Sequence, residues 1–387
     1  MPGWQEKERE IPSEDNSAYC QARKRLPEKL LQKLFIEVGN KLESKTSPED
    51  TWCGRHVKVL DGSAVSMPDT NENQKAYPQP SSQKAGCGFP LAKIMVLFSI
   101  TTGAAIGIVI DVFKTHDIKL ARQLYNYLNP GDIALGDRAF CAYSDIYFLQ
   151  KQSCDAIFRK HQGRKKQIKK GWSSNGGKRI GPCDCLVTWQ KPKSCPKGLA
   201  KEEFDSLPPK LRLREVHYYI CIPGYRTKQV TLITTLVDAH LYPTLELVKI
   251  YELRWDVELD LKHIKTTLGM DILRGKTPEM VRKEIYIYLL AYNLLRTVMW
   301  QAGSQKGVNP LRISLQGTRQ HLNNFISELK DASPINRERL YQIMLKLIAH
   351  KLVPSRAARV EPRVRKRRPK SYPLMQQPRQ LYNQQAA

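Results

Sequence analysis

Residues 56–63 read HVKVLDGS. The run His56 to Leu60 is β-branched and aliphatic, which marks a strand. It ends on an acid, Asp61. The same arrangement recurs at 133–140, IALGDRAF, where the short strand Ile133 to Leu135 runs into Gly136-Asp137. A glycine there leaves a bare backbone beside the acid. Between these two segments lie a polar loop over 67–88, a hairpin over 92–113, and a helix from Asp117 to Tyr127 that Asn129-Pro130-Gly131 stops. Ile94 to Ile110 carries no charge for 17 residues, the lower limit for a membrane span. Its middle, Thr101-Thr102-Gly103-Ala104, is turn chemistry between two β-rich runs, so a buried hairpin is the better reading.

Downstream, Tyr143 to Gln152 reads as a helix and Ala156 to Phe158 as a strand. The pattern breaks over 159–225, which is basic, contains Gly and Pro, and holds only short β-like runs. A strand follows at Val230 to Val237, then a long helix from Thr244 to about Leu268. Two more helical regions cover 278–301 and 310–352. With 159–225 set aside, the order is strand, strand, strand, helix, strand, helix, strand, strand, helix. This predicts an α/β fold with a mixed sheet, the first three strands antiparallel and the later ones parallel, flanked by helices. That order resembles the ribonuclease-H-like fold. The expected divisions are a helical N-terminal segment over 1–50, a core in two parts (51–158 and 226–301) interrupted by a basic β-rich insertion (159–225), a C-terminal helical region (302–355) and a basic Pro-rich tail (356–387).

The charge is lopsided. Lys and Arg number 63 against 37 acids, a formal net charge of +26. From Arg159 to Lys197 there are 12 basic residues and one acid, Asp184; from Arg356 to Lys370 there are 8 and one, Glu361. Concentration in two stretches points to contact with a polyanion backbone more than to general solubility. The N-terminal MPGWQEKEREIPSED has no apolar signal core. Nine scattered cysteines fit free thiols in a reducing compartment. A cytoplasmic, nucleoid-associated protein with no membrane segment is expected.

Asp61 and Asp137 end strands, and Glu258 lies on the long helix after the last one. Acids brought to one point repel one another until a hard divalent cation relieves them, and Mg²⁺ suits oxygen ligands best. Singly, each is a solvated carboxylate. On the helix, Tyr251, Arg254, Glu258 and Lys265 fall within about 60° of one another at 100° per residue. Leu253, Val257, Leu261, Ile264 and Leu268 form the neighbouring apolar stripe. An exposed helix with i,i+4 ion pairs such as Glu258 with Lys262 remains the alternative.

The spacing Tyr251-x2-Arg254-x3-Glu258-x6-Lys265 resembles the signature of DDE transposases of the insertion-sequence-four family. Val59-Leu60-Asp61-Gly62-Ser63 resembles that family's first-aspartate segment, and Gly136-Asp137-Arg138-Ala139-Phe140 its second. The resemblance spans roughly 17–375. It implies metal-dependent cleavage and transfer of DNA strands at insertion-sequence ends, through a DNA hairpin. It implies Asp61, Asp137 and Glu258 as metal ligands, with Mg²⁺ as cofactor and Mn²⁺ as substitute. Tyr251, Arg254, Lys265, Trp255 and Arg138 would contact DNA; Trp255 is equally suited to packing. The partners implied are double-stranded transposon ends and target DNA, met as a homodimer. Relatives usually carry a further DNA-binding module ahead of the point matching Ser17, where only 16 residues stand here. The alternative is therefore a truncated or domesticated DNA-binding protein without transposition.

Weaker signals lie in the insertion. Cys183, Cys185 and Cys195 are poorly spaced for zinc, with His161 and His217 as remote candidates. Trp172 and Trp189 among lysines suit either base stacking or a small core.

Overall fold

The computed structural model describes residues 17–161, 178–196, 198–220, 229–354, 375–378, 381–382 and 384. Among them, α1 (Ser17–Arg25) and α2 (Glu28–Glu43) precede the first strand. The expected N-terminal helical segment is two helices, separated at Pro27, which cannot donate to a helix ladder.

Among the described residues, one sheet holds nine strands in the order β3-β2-β1-β4-β5-β9-β8-β7-β6. β1 (Val57–Ser66), β2 (Leu91–Ser99) and β3 (Ala105–Val112) form an antiparallel meander. β4 (Ile133–Gly136) lies parallel to β1, and β5 (Asp155–Arg159) parallel to β4. The order 3-2-1-4-5 with this mix of directions is the ribonuclease-H-like arrangement. The uncharged stretch 94–110 is the expected buried hairpin, with Gly103 at φ +69° in its turn. No described helix is long and apolar enough to cross a membrane. The polar loop after β1 carries one short helix, α3 (Asn71–Ala76).

The far half of the sheet departs from expectation. β9 (Gln229–Thr234) runs antiparallel to β5, not parallel. It is entered from β8 (Lys210–Tyr219), also antiparallel to it. Too few residues separate β8 from β9 for a crossover of a dozen or more, so the chain returns directly. β6 (Lys178–Gly181) and β7 (Asp184–Gln190) continue the same sheet through β8, with α6 (Lys201–Asp205) between β7 and β8. The strands of 159–225 thus extend the core sheet instead of making a lobe with its own. Residues 162–177, which hold Trp172 and much of the insertion's charge, and the tail run 356–370 lie outside the described residues.

Strand alternation sorts the apolar residues into two cores. Val57, Val59, Ile133, Leu135, Ile157 and Leu232 face one way. They pack with α2, α7 (Thr244–Glu252), α8 (Arg254–Lys262) and α9 (Pro278–Lys306). Leu60, Ala134, Ala156, Phe158 and Ile233 face the other, against α4 (Asp117–Leu124) and α5 (Tyr143–Lys151). α2 sits so close to β3 that a Cβ on Gly39 would lie 2.8 Å from the Ala105 carbonyl oxygen. The expected helical region 310–352 is two helices, α10 (Leu315–Asp331) and α11 (Pro334–His350). Ser333 caps the second, whose first residue is proline, a favoured pairing.

Candidate active site

β1 and β4 pair in the register Val57 with Ile133, Lys58 with Ala134 and Val59 with Leu135. Carried on by two residues, this sets Asp61 abreast of Asp137, on neighbouring strands about 4.8 Å apart. Both share the parity of Val59 and Leu135, and so face the core that α7 and α8 cover. Asp61 Oδ1 accepts from its neighbour's amide, Gly62, at 2.9 Å. Asp137 Oδ1 accepts from Ala139 N–H at 2.7 Å, which pins the carboxylate in a tight turn. The reason for Gly136 differs from the sequence reading. Its Cβ would sit 2.6 Å from the Phe140 ring and 3.2 Å from Phe158. The glycine accommodates the aromatic packing on the opposite face.

The long helix expected over 244–268 is broken twice. A turn at Leu253 separates α7 from α8, and His263–Thr267 form a π-helical turn. Leu253 is accordingly exposed, while Val257, Leu261 and Ile264 are buried as the stripe requires. The 100° step does not hold through a π turn, so the wheel position assigned to Lys265 is superseded. Lys265 is placed by a different device. The chain after the π turn is stitched to the end of β1, with Ser66 N–H donating to the Asp271 carbonyl and Leu273 N–H to that of Ser66. Lys265 Nζ donates to Ser63 Oγ at 3.0 Å, two residues beyond Asp61 on the same face.

On α8, Arg254 is buried, with its carbon Cζ 4.5 Å from the Trp255 ring centroid and 5.8 Å from that of Tyr251. Its Nη2 lies 3.7 Å from Glu258 Oε1. Among the described residues its Nε–H is buried without a hydrogen-bond partner, and an unmade bond at a buried donor is costly. Tyr251 is buried, Trp255 half-exposed, Arg138 exposed and Glu258 exposed.

The three acids sense one another. Burial pushes the Asp61 carboxyl up to about 6, against the pull of the Gly62 amide and Arg254, and the negative charges of Glu258 and Asp137 add to the rise. No three His, Cys, Asp or Glu side chains among the described residues are gathered into a closed cage for a metal. Two adjacent aspartates with a third acid on an exposed helix flank make an open, all-oxygen set. That suits a hard divalent cation that keeps several of its waters.

Two buried ion pairs, invisible in the sequence, hold these helices. Arg214 of β8 is fully buried and grips Asp184 of β7; it also donates to the Tyr242 carbonyl at 2.7 Å. Thr244, the first residue of α7, donates to Asp184 Oδ2 at 2.7 Å. Asp260, two residues past Glu258, pairs with Arg296 of α9, whose Nε donates to the Tyr292 hydroxyl at 2.9 Å. Tyr292 in turn donates to the Gly103 carbonyl.

Among the cysteines, Cys185 is buried with its Sγ 3.8 Å from the Glu215 carbonyl oxygen, and burial pushes its thiol up to about 11, so it is not poised as a thiolate ligand. His217 is engaged by Thr231 and Glu215. Trp189 packs against the second core.

Residues 52–294 match the family model of the transposase DDE domain. The chain is 27% identical over 360 residues to "Transposase InsG for insertion sequence element IS4" of Escherichia coli, covering 92% of this chain and 78% of that protein. Over 70 residues, 18% of this chain and 19% of the relative, it is 36% identical to the Escherichia coli "Transposase for insertion sequence element IS421". Among solved structures, the cryo-EM piggyBac transposase synaptic complex with hairpin DNA aligns over 79% of this chain and 60% of that one, at 14% identity and a TM-score of 0.42. The fold rests on the strand order above, not on that likeness.

Proposed function

Because this chain belongs to the transposase DDE domain family, we propose that Asp61, Asp137 and Glu258 bind its metal ions and that Tyr251, Arg254, Trp255, Arg138 and Lys265 hold its DNA. The chain is a DNA transposase, catalysing DNA cleavage and strand transfer. Its chemistry uses divalent metal ions; Mg²⁺, with Mn²⁺ as substitute, is the pair that an all-oxygen site selects. The observation that carries this reading is the β1–β4 register, which carried on by two residues sets Asp61, inside β1, abreast of Asp137, just past the end of β4, on the sheet face that α8 covers.

When bound, two such ions supply an activated water or 3′-OH and stabilise the leaving oxygen of an in-line displacement at phosphorus. The side chains do the rest. Asp61 and Asp137 are held by amide hydrogen bonds before any ligand arrives, so little reorganisation is needed. Arg254 offers its unfilled Nε–H beside them, a partner for a phosphate oxygen. Lys265, anchored at Ser63, offers its charge further along β1. The substrates are insertion-sequence ends and a target duplex, engaged by a homodimer since two ends are joined in one event.

The test is cleavage of labelled DNA bearing the element's inverted repeats. Mg²⁺ supports cleavage and a chelator stops it. Asp61→Asn, Asp137→Asn and Glu258→Gln each bind DNA near the wild-type level and leave it uncut. Cleavage surviving in any one of them removes that residue from the metal-binding set.

A further inference from the structure

Arg159 and Tyr218 belong to no part of the site described so far, and both stand beside it. β4 and β5 pair Leu135 with Ile157 and Gly136 with Phe158. One residue further, Arg159 is abreast of Asp137, as Asp137 is abreast of Asp61. Arg159 shares the parity of Ile157, so its side chain leaves the sheet on the same face as the two acids. Two strands on, β8 pairs Val216 with Leu232 and Tyr218 with Val230, and Tyr218 packs against the same core.

The electrostatics join these residues into one group. The charges of Arg159 and Arg254 both act on the phenols of Tyr218 and Tyr251. Arg254 has its Cζ 5.8 Å from the Tyr251 ring centroid, and Arg159 stands near enough to act on both phenols. Arg159 and Tyr218 are both half-buried, and among the described residues neither side chain has a hydrogen-bond or ion-pair partner. A guanidinium partly withdrawn from water gains from an anionic partner. The acids facing the group are Asp137, beside Tyr251, and Glu252, beside Tyr218; neither is bonded to Arg159. Two positive charges acting on the same phenols, on the face that carries the two aspartates, suit an anion.

We propose that Arg159, assisted by the Tyr218 hydroxyl, binds a non-bridging phosphate oxygen of the DNA strand on the Asp137 side of the reacting bond. Lys265 lies on the other flank, beyond Asp61. The strand then crosses the sheet edge from Ser63 and Lys265, over the paired aspartates, to Arg159 and Tyr218. The last of these comes from the insertion, whose strands continue the core sheet. This rests on the reading of Asp61 and Asp137 given above, but it can fail or stand separately.

The experiment uses the full chain and a fluorescein-labelled duplex of arbitrary sequence, without metal, titrated from 50 to 300 mM salt. Losing one phosphate contact lowers the slope of log K against log salt by about 0.9, and Arg159→Gln shows that loss with roughly tenfold weaker binding at low salt, an energy typical of one charged hydrogen bond. Arg159→Lys restores the slope but not the cleavage rate, since the planar fork is gone. Tyr218→Phe weakens binding about threefold, and the double variant is no worse than Arg159→Gln, because both act on one phosphate. Melting temperatures stay at the wild-type value, as no internal bond is lost. An unchanged slope in Arg159→Gln overturns the assignment, as does a weaker binding that tracks a lower melting temperature. Asp137→Asn separates the two readings: cleavage persisting there while Arg159→Gln loses its slope sinks the metal-site reading and leaves the phosphate contact standing.

Discussion

Replacing Arg214 by Ala should be among the most destabilising single changes in this chain, though the residue touches no substrate. Arg214 is fully buried and Asp184 nearly so. The guanidinium meets both carboxylate oxygens of Asp184 and reaches the Tyr242 carbonyl, with the Leu236 and Asp238 carbonyls each at 3.4 Å. Removing it leaves a buried carboxylate with, among the described residues, the Thr244 hydroxyl as donor, and breaking one partner of such a pair costs about 3–5 kcal/mol. At roughly 2 °C per kcal/mol for a chain of this size, the melting temperature falls by about 6–10 °C. The pair itself need not stabilise the fold. Arg214→Met with Asp184→Leu removes both charges, and replacing a buried pair by apolar residues is often neutral to about 1–4 kcal/mol stabilising. The double variant should therefore recover most of the loss. Differential scanning calorimetry at pH 7.5 on the wild type and the three variants supplies the cycle. Because Thr244 begins α7, which leads into α8, the Arg214→Ala protein should lose cleavage rate more than affinity below its melting point. A single variant melting within 2 °C of wild type, or a double variant worse than the single, refutes the reasoning.

Asp61→Asn should stabilise the metal-free protein at pH 7.5 while abolishing cleavage. The folded-state pKa of about 6 lies above an unfolded value near 3.9, so the native state holds the proton more tightly. The wild type then loses stability as pH rises from about 4 to 6, the Asn variant does not, and their difference at pH 7.5 is on the order of 1–3 kcal/mol. Chelator-treated melts at pH 4, 6 and 7.5 decide it, and no gain at pH 7.5 sinks the idea. Gly136→Ala drives a Cβ to 2.6 Å from the Phe140 ring; overpacking of that kind costs about 1–3 kcal/mol, read in urea unfolding, and cleavage should fall because the Asp137 turn follows directly. Arg254→Lys should impair cleavage despite keeping its charge, since a lysine cannot hold the position over Trp255 or offer an equivalent fork. Lys265→Ala should weaken DNA binding while leaving metal binding, followed by calorimetric titration with Mn²⁺, as in the wild type. Normal affinity and cleavage in both would reduce that helix face to a solvated surface.

Much of this was legible in the chain because its signals are local. The apolar runs ending at Asp61 and Asp137, the turn at Thr101 to Ala104 and the stripe Val257, Leu261, Ile264 each follow from neighbouring residues, as the periods of strand and helix are set within a few positions. Spacing alone also brought Tyr251, Arg254 and Glu258 forward as a group. What the sequence could not carry was pairing between distant segments. The register that sets Asp61 beside Asp137, and Arg159 beside Asp137, depends on strands drawn from β1, β4 and β5. The antiparallel entry of β9, and the joining of the insertion to the core sheet, depend on which edge was free. The π turn before Leu268 overrode the helical wheel because hydrogen bonds to β1 hold the chain beyond it. Arg214 and Asp184 stand 30 residues apart in the chain, and only tertiary burial makes them a single buried bond. Local periodicity decides which elements form and which face is apolar; long-range hydrogen bonding and burial decide what those faces meet.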